Sequence, residues 1–560
     1  MAEDAPGGGA PADRPDGASP SPTAALADLV EWASDWVLDW SGLGAARIPT
    51  RVEAAAAHAT RLTALLERCA GALDGFRGDL LRPGEPGFDA ALRLAGAANA
   101  GVLARRPALI VVPADQDDVK KALALVRAGM AAGAWGETPL TVCGGGHSPL
   151  CVRDGAVLLH LKRLSAVHCD PAARTVTVGG GAKLGDVNRA TVPHGLAVPL
   201  GWAETVGAGL MLTGGIGRLT RLHGLTVDNV LEVTAVLPDG RVKVLAADAE
   251  REEDRELFWG MRGAGANFGV VTQLKLRAHP LGDGGHVLYA KGNRPLAAAA
   301  GADLHAIARA LRDCPGDQQS DLVVGHVGDE LHVGFFMCDL GLRGFPEAVL
   351  RAARLSPAPA FARVAWTDVP YSDLPAAPGG EKLHQDSGGV FSHVRQQFVD
   401  EVGPDVLEAV AAAVRDKAPT KLCCVLFHHG GGRARAYDRG SAFACRNWEF
   451  SIVIVGLWQD PARAAATVAW ADALYETLMP WATGCYAVDI DRFARPATAE
   501  AELAHSFKGH LPRLRKLQRR VDPAGMLRGA FLGFPGDAAG EQGGLGAAVG
   551  DVVGRLVGRG

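Results

Sequence analysis

The chain has 560 residues and 48% of them are hydrophobic, enough for two or three domains, or one large two-lobed enzyme, with a sizeable core. Its net charge of −5 and pI of about 6.4 exclude a basic footprint for nucleic acid. No window approaches eighteen consecutive apolar residues, so no transmembrane helix is predicted.

Met1 to Thr23 is Pro, Gly, Ala, Ser and acidic residues. It lacks the basic start and apolar core of a secretory signal and the arginine richness of a transit peptide, so it is read as a disordered tail of a cytoplasmic protein. The ten cysteines form neither a C-x-x-C pair nor a zinc-like spacing, so they are expected reduced and mostly buried, with no metal site. Residues 24–80 are read as a helical extension: Leu26, Leu29, Val30, Trp32, Trp36 and Val37 fall on one helical stripe, and Leu62, Leu65 and Leu66 continue the pattern in a second segment. Gly84 to Asp89 reads as a turn. Leu109 to Pro113 is a β-branched run that predicts a buried strand, and Asp115 to Ala131 an amphipathic helix. A second strand, Leu140 to Val142, then runs into Gly144-Gly145-Gly146-His147-Ser148. Three glycines let backbone N–H groups turn toward one point, a nest suited to a pyrophosphate, with the histidine held beside it. Strands follow at Val157–Leu161 and Thr175–Val178.

A second glycine-rich stretch spans Gly201 to Gly217. As a nicotinamide-dinucleotide fingerprint it fails, because its glycines lie between loops and do not open a helix directly after a strand. Val233–Leu237, the turn Pro238-Asp239-Gly240 and Val242–Leu245 predict a hairpin. A third cluster, Phe258 to Val271, enters another strand. Further on, Asp321–Val327 and Leu331–Phe336 read as a hairpin. Leu422–Phe427 and Phe450–Leu457 read as strands, and 346–355, 403–415 and 461–478 as helices covering them.

Taken together, Arg105-Arg106-Pro107-Ala108, Gly144 to Ser148, Gly207 to Gly217, Gly224-Leu225-Thr226-Val227-Asp228-Asn229, Leu257 through Val271, and Pro512-Arg513-Leu514 with Val521-Asp522-Pro523 resemble, in order, the FAD-linked oxidases of the vanillyl-alcohol-oxidase/PCMH superfamily, berberine-bridge-enzyme-like branch. The resemblance spans roughly residues 80–530. It implies an α+β fold: a PCMH-type FAD-binding domain of two α+β subdomains over 81–280, and a substrate domain over 281–495 whose antiparallel sheet, covered by helices, roofs the flavin. A C-terminal segment, 496–533, completes the FAD site, and 534–560 is a flexible tail. The FAD-binding residues implied are Gly144, Gly145, Gly146, His147 and Ser148, then Thr205, Gly207, Gly209, Gly214, Gly215 and Gly217, then Asn229, Asn267, Gly269, Val271 and His510. In relatives the histidine of the glycine turn is bonded to the flavin 8α-methyl carbon, which by position is His147 here; such a bond raises the flavin's potential. Many relatives add a cysteinyl link two residues after the glycine that opens the second stretch. Here that position is Ala203, so a single histidyl link is expected.

The chemistry implied is hydride transfer from a small-molecule C–H bond (alcohol, sugar or amine) to flavin N5, with a base taking the adjacent proton and oxygen or another acceptor receiving the electrons. Tyr486 stands where relatives often have Tyr-x-Asn-Tyr, the Asn and second Tyr being absent. Asp489 and Glu449 are the other candidate catalytic residues. Glu449 is read in a strand sharing a face with Asn447 and Ser451, a face expected toward solvent. His428 and His429 precede Gly430-Gly431-Gly432, where relatives place substrate contacts, and one of the two should face inward. His510 and Leu511 replace the Asn-Tyr that often precedes Pro-Arg-Leu. The basic run Arg513, Arg515, Lys516, Arg519 and Arg520 reads as a solvated helix face. The competing reading is a flavin-containing protein that binds and sequesters a small molecule without turnover. No membrane or nucleic-acid partner is expected, and no signal for an oligomeric state is present.

Overall fold

The computed structural model describes residues 73–95, 105–296, 300–352, 366–374, 391–436, 440–491 and 495–533, together with Ala64 and Glu67. The expected tails at 1–23 and 534–560 and the helical reading of 24–63 lie outside them. The elements that follow all belong to the compact unit beginning at Arg68.

The first sheet contains β1 (Asp79–Leu81), β2 (Leu109–Val112), β3 (Leu140–Cys143) and β4 (Val157–His160), in the order β1-β2-β4-β3. β2, β4 and β3 are parallel, and β2 and β4 are buried at every position, as expected where both faces of a parallel strand are covered. Helix α1 (Phe88–Ala95) packs on this sheet, and α2 (Gln116–Ala131) is the crossover between β2 and β3. Asp115 caps α2 by accepting from the Asp118 N–H. Two readings are corrected here. Asp79 and Leu80, placed in the helical extension, pair with Val112 and Val111 as strand, and Phe88 and Asp89, read as turn, open α1.

The second sheet is antiparallel: β5 (Val167–Asp170), β6 (Thr175–Gly179), β8 (Val230–Val236), β9 (Val242–Ala246) and β10 (Val270–Arg277) in the order β5-β6-β10-β8-β9. β7 (Leu196–Ala197) pairs separately with β11 (His279–Pro280). Helices α3 (Leu184–Thr191), α4 (Thr220–His223) and α5 (Glu252–Ala264) accompany this sheet. The predicted hairpin is β8–β9, closed at Gly240 with φ +90°.

The third sheet is also antiparallel. It contains β12 (His286–Pro295), β13 (Gln318–Val327), β14 (Glu330–Asp339), β15 (Thr367–Pro370), β16 (Phe391–Val399), β17 (Cys424–His429), β18 (Phe450–Trp458) and β19 (Ala482–Cys485), ordered β15-β12-β14-β13-β17-β18-β16-β19. Its two faces differ. Leu322, Phe335, Phe427 and Ile452 meet α6 (Ala300–Arg312), α7 (Glu347–Ala352), α8 (Pro404–Lys417) and, beyond the short α9 (Gly432–Ala436), α10 (Ala464–Leu478). The opposite face turns toward the glycine-rich loops. Finally α11 (Pro496–Phe507) and α12 (Leu511–Val521) return to the second sheet, where Leu503, Phe507, Leu514 and Leu517 share a core with Phe258, Met261 and Phe268. The basic face of α12 is not wholly solvated: Arg513 and Arg520 pair with Glu256, and Arg513 lies over Trp259. No helix among the described residues is long and apolar enough to cross a membrane.

The two sheets of the N-terminal half meet through glycine backbone. A Cβ on Gly145 would lie 2.2 Å from Gly207 N, and one on Gly207 would lie 2.2 Å from Gly145 N. Neither strand of backbone can retreat without opening the contact, so Gly145→Ala and Gly207→Ala should each lower stability by at least about 2 kcal/mol. Gly509→Ala, where an added Cβ meets nothing within 4 Å, should stay within about 0.5 kcal/mol of the native protein in the same denaturation experiment.

Candidate active site

The β3 strand delivers Gly144 to Gly146 into the seam between the first two sheets. Gly146 has φ +73°, and a Cβ there would come 2.4 Å from the Leu94 carbonyl oxygen. His147 follows immediately, with Nε2 3.1 Å from Thr205 Oγ1 on the second glycine stretch. Ser148 Oγ accepts from Leu150 N–H and caps the short turn Pro149–Cys151. The N–H of Gly145 finds no backbone acceptor among the described residues, whereas that of Ser148 donates to the Cys151 thiol. A backbone donor left open in a glycine turn, beside an oriented imidazole, fits a pyrophosphate with its attached ring system.

The second stretch is looped, as expected, apart from a 3-10 turn at Ala208–Leu212. Its glycines serve different ends. Around Gly209 an added Cβ would meet nothing within 4 Å, so this backbone is open to a ligand. At Gly215 (φ +81°) a Cβ would strike Thr226 Oγ1 at 2.0 Å, and at Gly217 the Leu200 carbonyl oxygen at 1.7 Å, so both are demanded by packing. A Cβ on Gly214 (φ +139°) would meet the rings of Phe443 and Tyr486 at 2.8 and 2.9 Å.

Several motif residues hold the loops to one another. Asn229 donates to the carbonyls of His223 and Leu225 and accepts from His279 Nε2. Asn267 donates to Ala264 O and accepts from Leu532 N–H, which ties in the chain's far end. Gly269, just before β10, lies against the Val236 carbonyl, and Val271, in β10, pairs with Ala235 and lies against Gly180. His510 Nδ1 lies 3.1 Å from the Ala442 carbonyl and meets Trp259 edge-on. Asp228, quoted only as part of a motif, takes both guanidinium nitrogens of Arg446 at 2.7 Å and so clamps the third sheet's loop to this half.

Alternation on the third sheet separates the two histidines. His428 and Asp321, directly opposite across β17 and β13, lie on the face toward the glycine loops, where His428 Nδ1 meets Asp321 Oδ1 at 2.9 Å. The His428 ring stacks on Trp202 (centroids 5.1 Å, interplanar 12°). His429 points to the other side and is fully buried. There Arg221 Nη1 lies 2.7 Å and Glu449 Oε1 3.1 Å from the same nitrogen, Nε2. One lone pair accepts from the guanidinium, so the ring is neutral and Glu449 is balanced by Arg221 and Arg435 instead. Burial pushes His429 down to about 4. Burial alone would raise Glu449, but His429, Arg221 and Arg435 together hold it below the usual carboxylate range.

The expectation for Glu449 is therefore corrected. It precedes β18, which begins at Phe450, and it is 5% exposed, so it is neither a strand residue nor on a solvent face. Asn447 bonds Asp400 and Ser451 bonds Gln396, so the three do not act as a group. Tyr486 Oη accepts from Gly215 N–H at 2.9 Å, in an apolar nest with Phe398, Phe443 and Trp448. Burial pushes its phenol up to about 12, so it is protonated at neutral pH and acts as a wedge between sheet and glycines. Asp489 is turned elsewhere: burial raises it to about 7 against the pull of Arg395, in β16, and Arg495. Residues missed in the sequence are Trp202, Arg221 and Asp321. Only Asp321 left a signal there, a carboxylate opening an otherwise apolar strand.

Residues 107–246 match the family model described as FAD binding domain. An FAD-linked oxidoreductase of Dictyostelium discoideum is 27% identical over 430 residues, covering 75% of this chain and 87% of that one. Berberine bridge enzyme from Eschscholzia californica shares the fold with a TM-score of 0.70 at 16% identity, covering 84% of this chain and 99% of its own. The chain carries an FAD-binding domain, is similar to FAD-linked oxidoreductases, and has the fold of berberine bridge enzyme. (R)-6-hydroxynicotine oxidase of Paenarthrobacter nicotinovorans is 36% identical over 208 residues, 37% of this chain and 42% of that enzyme.

The flavoprotein's site is acid-sensitive by construction. His223 and His279 stack at 3.8 Å, and burial holds each down to about 4, as it does His429. The unfolded chain binds protons at these groups from about pH 6.5, so their neutral packing contributes fully above that pH and is lost as pH falls toward 4. The melting temperature should fall across this window, and His279→Gln should flatten the dependence.

Proposed function

We propose that this flavoprotein oxidises a small molecule bearing an alcohol or amine, removing a hydride from a C–H bond, and that its FAD is linked through His147 alone. The observation that carries the reading is the His147–Thr205 contact, which orients the imidazole where two glycine stretches meet. Gly144 to Ser148 would hold the pyrophosphate, and Gly207 to Gly209 would let the ring system approach backbone closely. Ala203 offers no thiol for a second link. Bound FAD supplies a two-electron acceptor, from which oxygen or another acceptor takes the electrons. The chain's own work is to fix the cofactor, exclude water with the third sheet and accept one proton from the substrate.

The flavin should remain in the acid-precipitated pellet of the native protein and be released from His147→Ala. Release from both would leave a non-covalent flavoprotein. Absence of flavin from both, with FAD supplied during expression, would overturn the reading. Retention without bleaching by any substrate under anaerobic conditions would favour sequestration.

A further inference from the structure

We infer that His428, oriented by Asp321, is the proton acceptor for the substrate's O–H or N–H, and that the substrate it serves carries an apolar skeleton. This rests on the function proposed above and deepens it.

The pair is placed where a proton acceptor is needed. Thr205, which holds His147, is three residues from Trp202, so the two Cα atoms lie within about 11 Å. His428 stacks on that tryptophan, so its ring is tied to the loop that holds the proposed flavin attachment point. Asp321 is 2% exposed, and burial raises its carboxyl, opposed by His428, Arg218 and Gln319. A carboxylate at His428 Nδ1 holds the proton on that nitrogen and directs the Nε2 lone pair away from it. Nε2 meets no acceptor or donor among the described residues, and beside it the buried indole N–H of Trp202 is also without a partner. One acceptor and one donor, both unused, suit a hydroxyl or amine that gives up a proton while its heteroatom is held. The backbone ladder between β13 and β17 already fixes these strands, so a buried Asp–His pair is not needed to join them.

Outward from His428 the same sheet face is mainly apolar: Leu426, Val453, Val455, Leu457 and Val323 form one cluster, and the polar Ser451 and Gln396 on that face are bonded to each other. A sugar would leave its hydroxyls without partners against this wall. An aromatic or aliphatic alcohol or amine would not. In the step itself, the O–H (or N–H) bond breaks and its proton passes to His428 Nε2. A C=O (or C=N) bond forms as the C–H electron pair leaves as hydride to the oxidised flavin. Substrate is oxidised, flavin is reduced, and the imidazolium is balanced by Asp321.

Two measurements test this. The first needs no substrate. A nitrogen-15 spectrum of histidine-labelled protein above pH 8, with the His428 signals identified by their loss in His428→Gln, should show the Nδ1–H tautomer. Asp321→Ala should give a mixture. An Nε2–H tautomer in the native protein would overturn the proposal, because that nitrogen could not take a proton. The second is anaerobic bleaching of the bound flavin by a set of aromatic and aliphatic alcohols and amines, with hexoses alongside. His428→Gln should slow bleaching by about 10²–10⁴-fold while its acid pellet stays yellow, and added imidazole should restore at least about tenfold in His428→Gly. A yellow His428→Gln pellet with native bleaching overturns the role of His428 and leaves the oxidoreductase standing. Bleaching by hexoses alone overturns the substrate class, and bleaching by no member of the set overturns the inference as a whole. A colourless native pellet defeats the His147 link and leaves the tautomer result valid.

Discussion

Everything at this site depends on two backbones touching without side chains between them. Gly145 follows β3 of the first sheet and Gly207 lies in the loop between β7 and β8, and each occupies the space a Cβ on the other would need. The contact sets how far β3 reaches into the seam, and thereby where His147 stands relative to Thr205. It also leaves the Gly145 N–H without a backbone acceptor among the described residues, a donor that a ligand rich in acceptor oxygens would satisfy. The site's precision is thus a packing property before it is a chemical one.

The third sheet is held over this seam from three directions. Tyr486 wedges its ring against Gly214 and accepts from Gly215 N–H. Arg446 grips Asp228 with both nitrogens. Arg221, 3% exposed, reaches from α4 to the carbonyls of Gln318, Cys314 and Gly430 and to His429. A buried guanidinium satisfied by carbonyls, a neutral imidazole and Glu449 is costly to break, because any lost partner leaves charge uncompensated. These ties let the sheet act as a fixed roof, so that the groups it presents downward are held in one geometry.

Much of this was legible in the sequence, and the failures have physical causes. Parallel strands β2 and β4 announced themselves as runs of apolar residues, broken only at His160, and the glycine turn after β3 was readable because three successive glycines free the backbone of Cβ constraints. β16 was not read as a strand. Its residues Phe391 to Val399 include Arg395 and Gln397, both buried, the first paired with Asp472 and Glu502 and the second bonded to Tyr475 O. Alternation rules fail when buried positions are polar and their partners lie 77 to 107 residues away. Glu449 was misjudged for the same reason: a carboxylate reads as solvated until the arginines that neutralise it are located.

The adjacent histidines show what pleating adds to a motif. As a dipeptide, His428-His429 offers two equivalent candidates. In β17 they fall on opposite faces, and their neighbours then divide the work. His429 meets a guanidinium at Nε2, so that nitrogen is occupied and its ring stays neutral in the core. His428 meets a carboxylate at Nδ1, which leaves the other nitrogen available on the face toward Trp202. The same side chain is a packing element where a guanidinium takes its Nε2 and, in the role inferred for His428, a proton acceptor where a carboxylate takes its Nδ1. Conversely, the amides of motif residues such as Asn229 and Asn267 are bonded within the chain and shape the loops. The chemistry is carried by the groups whose hydrogen-bonding capacity the fold leaves unspent.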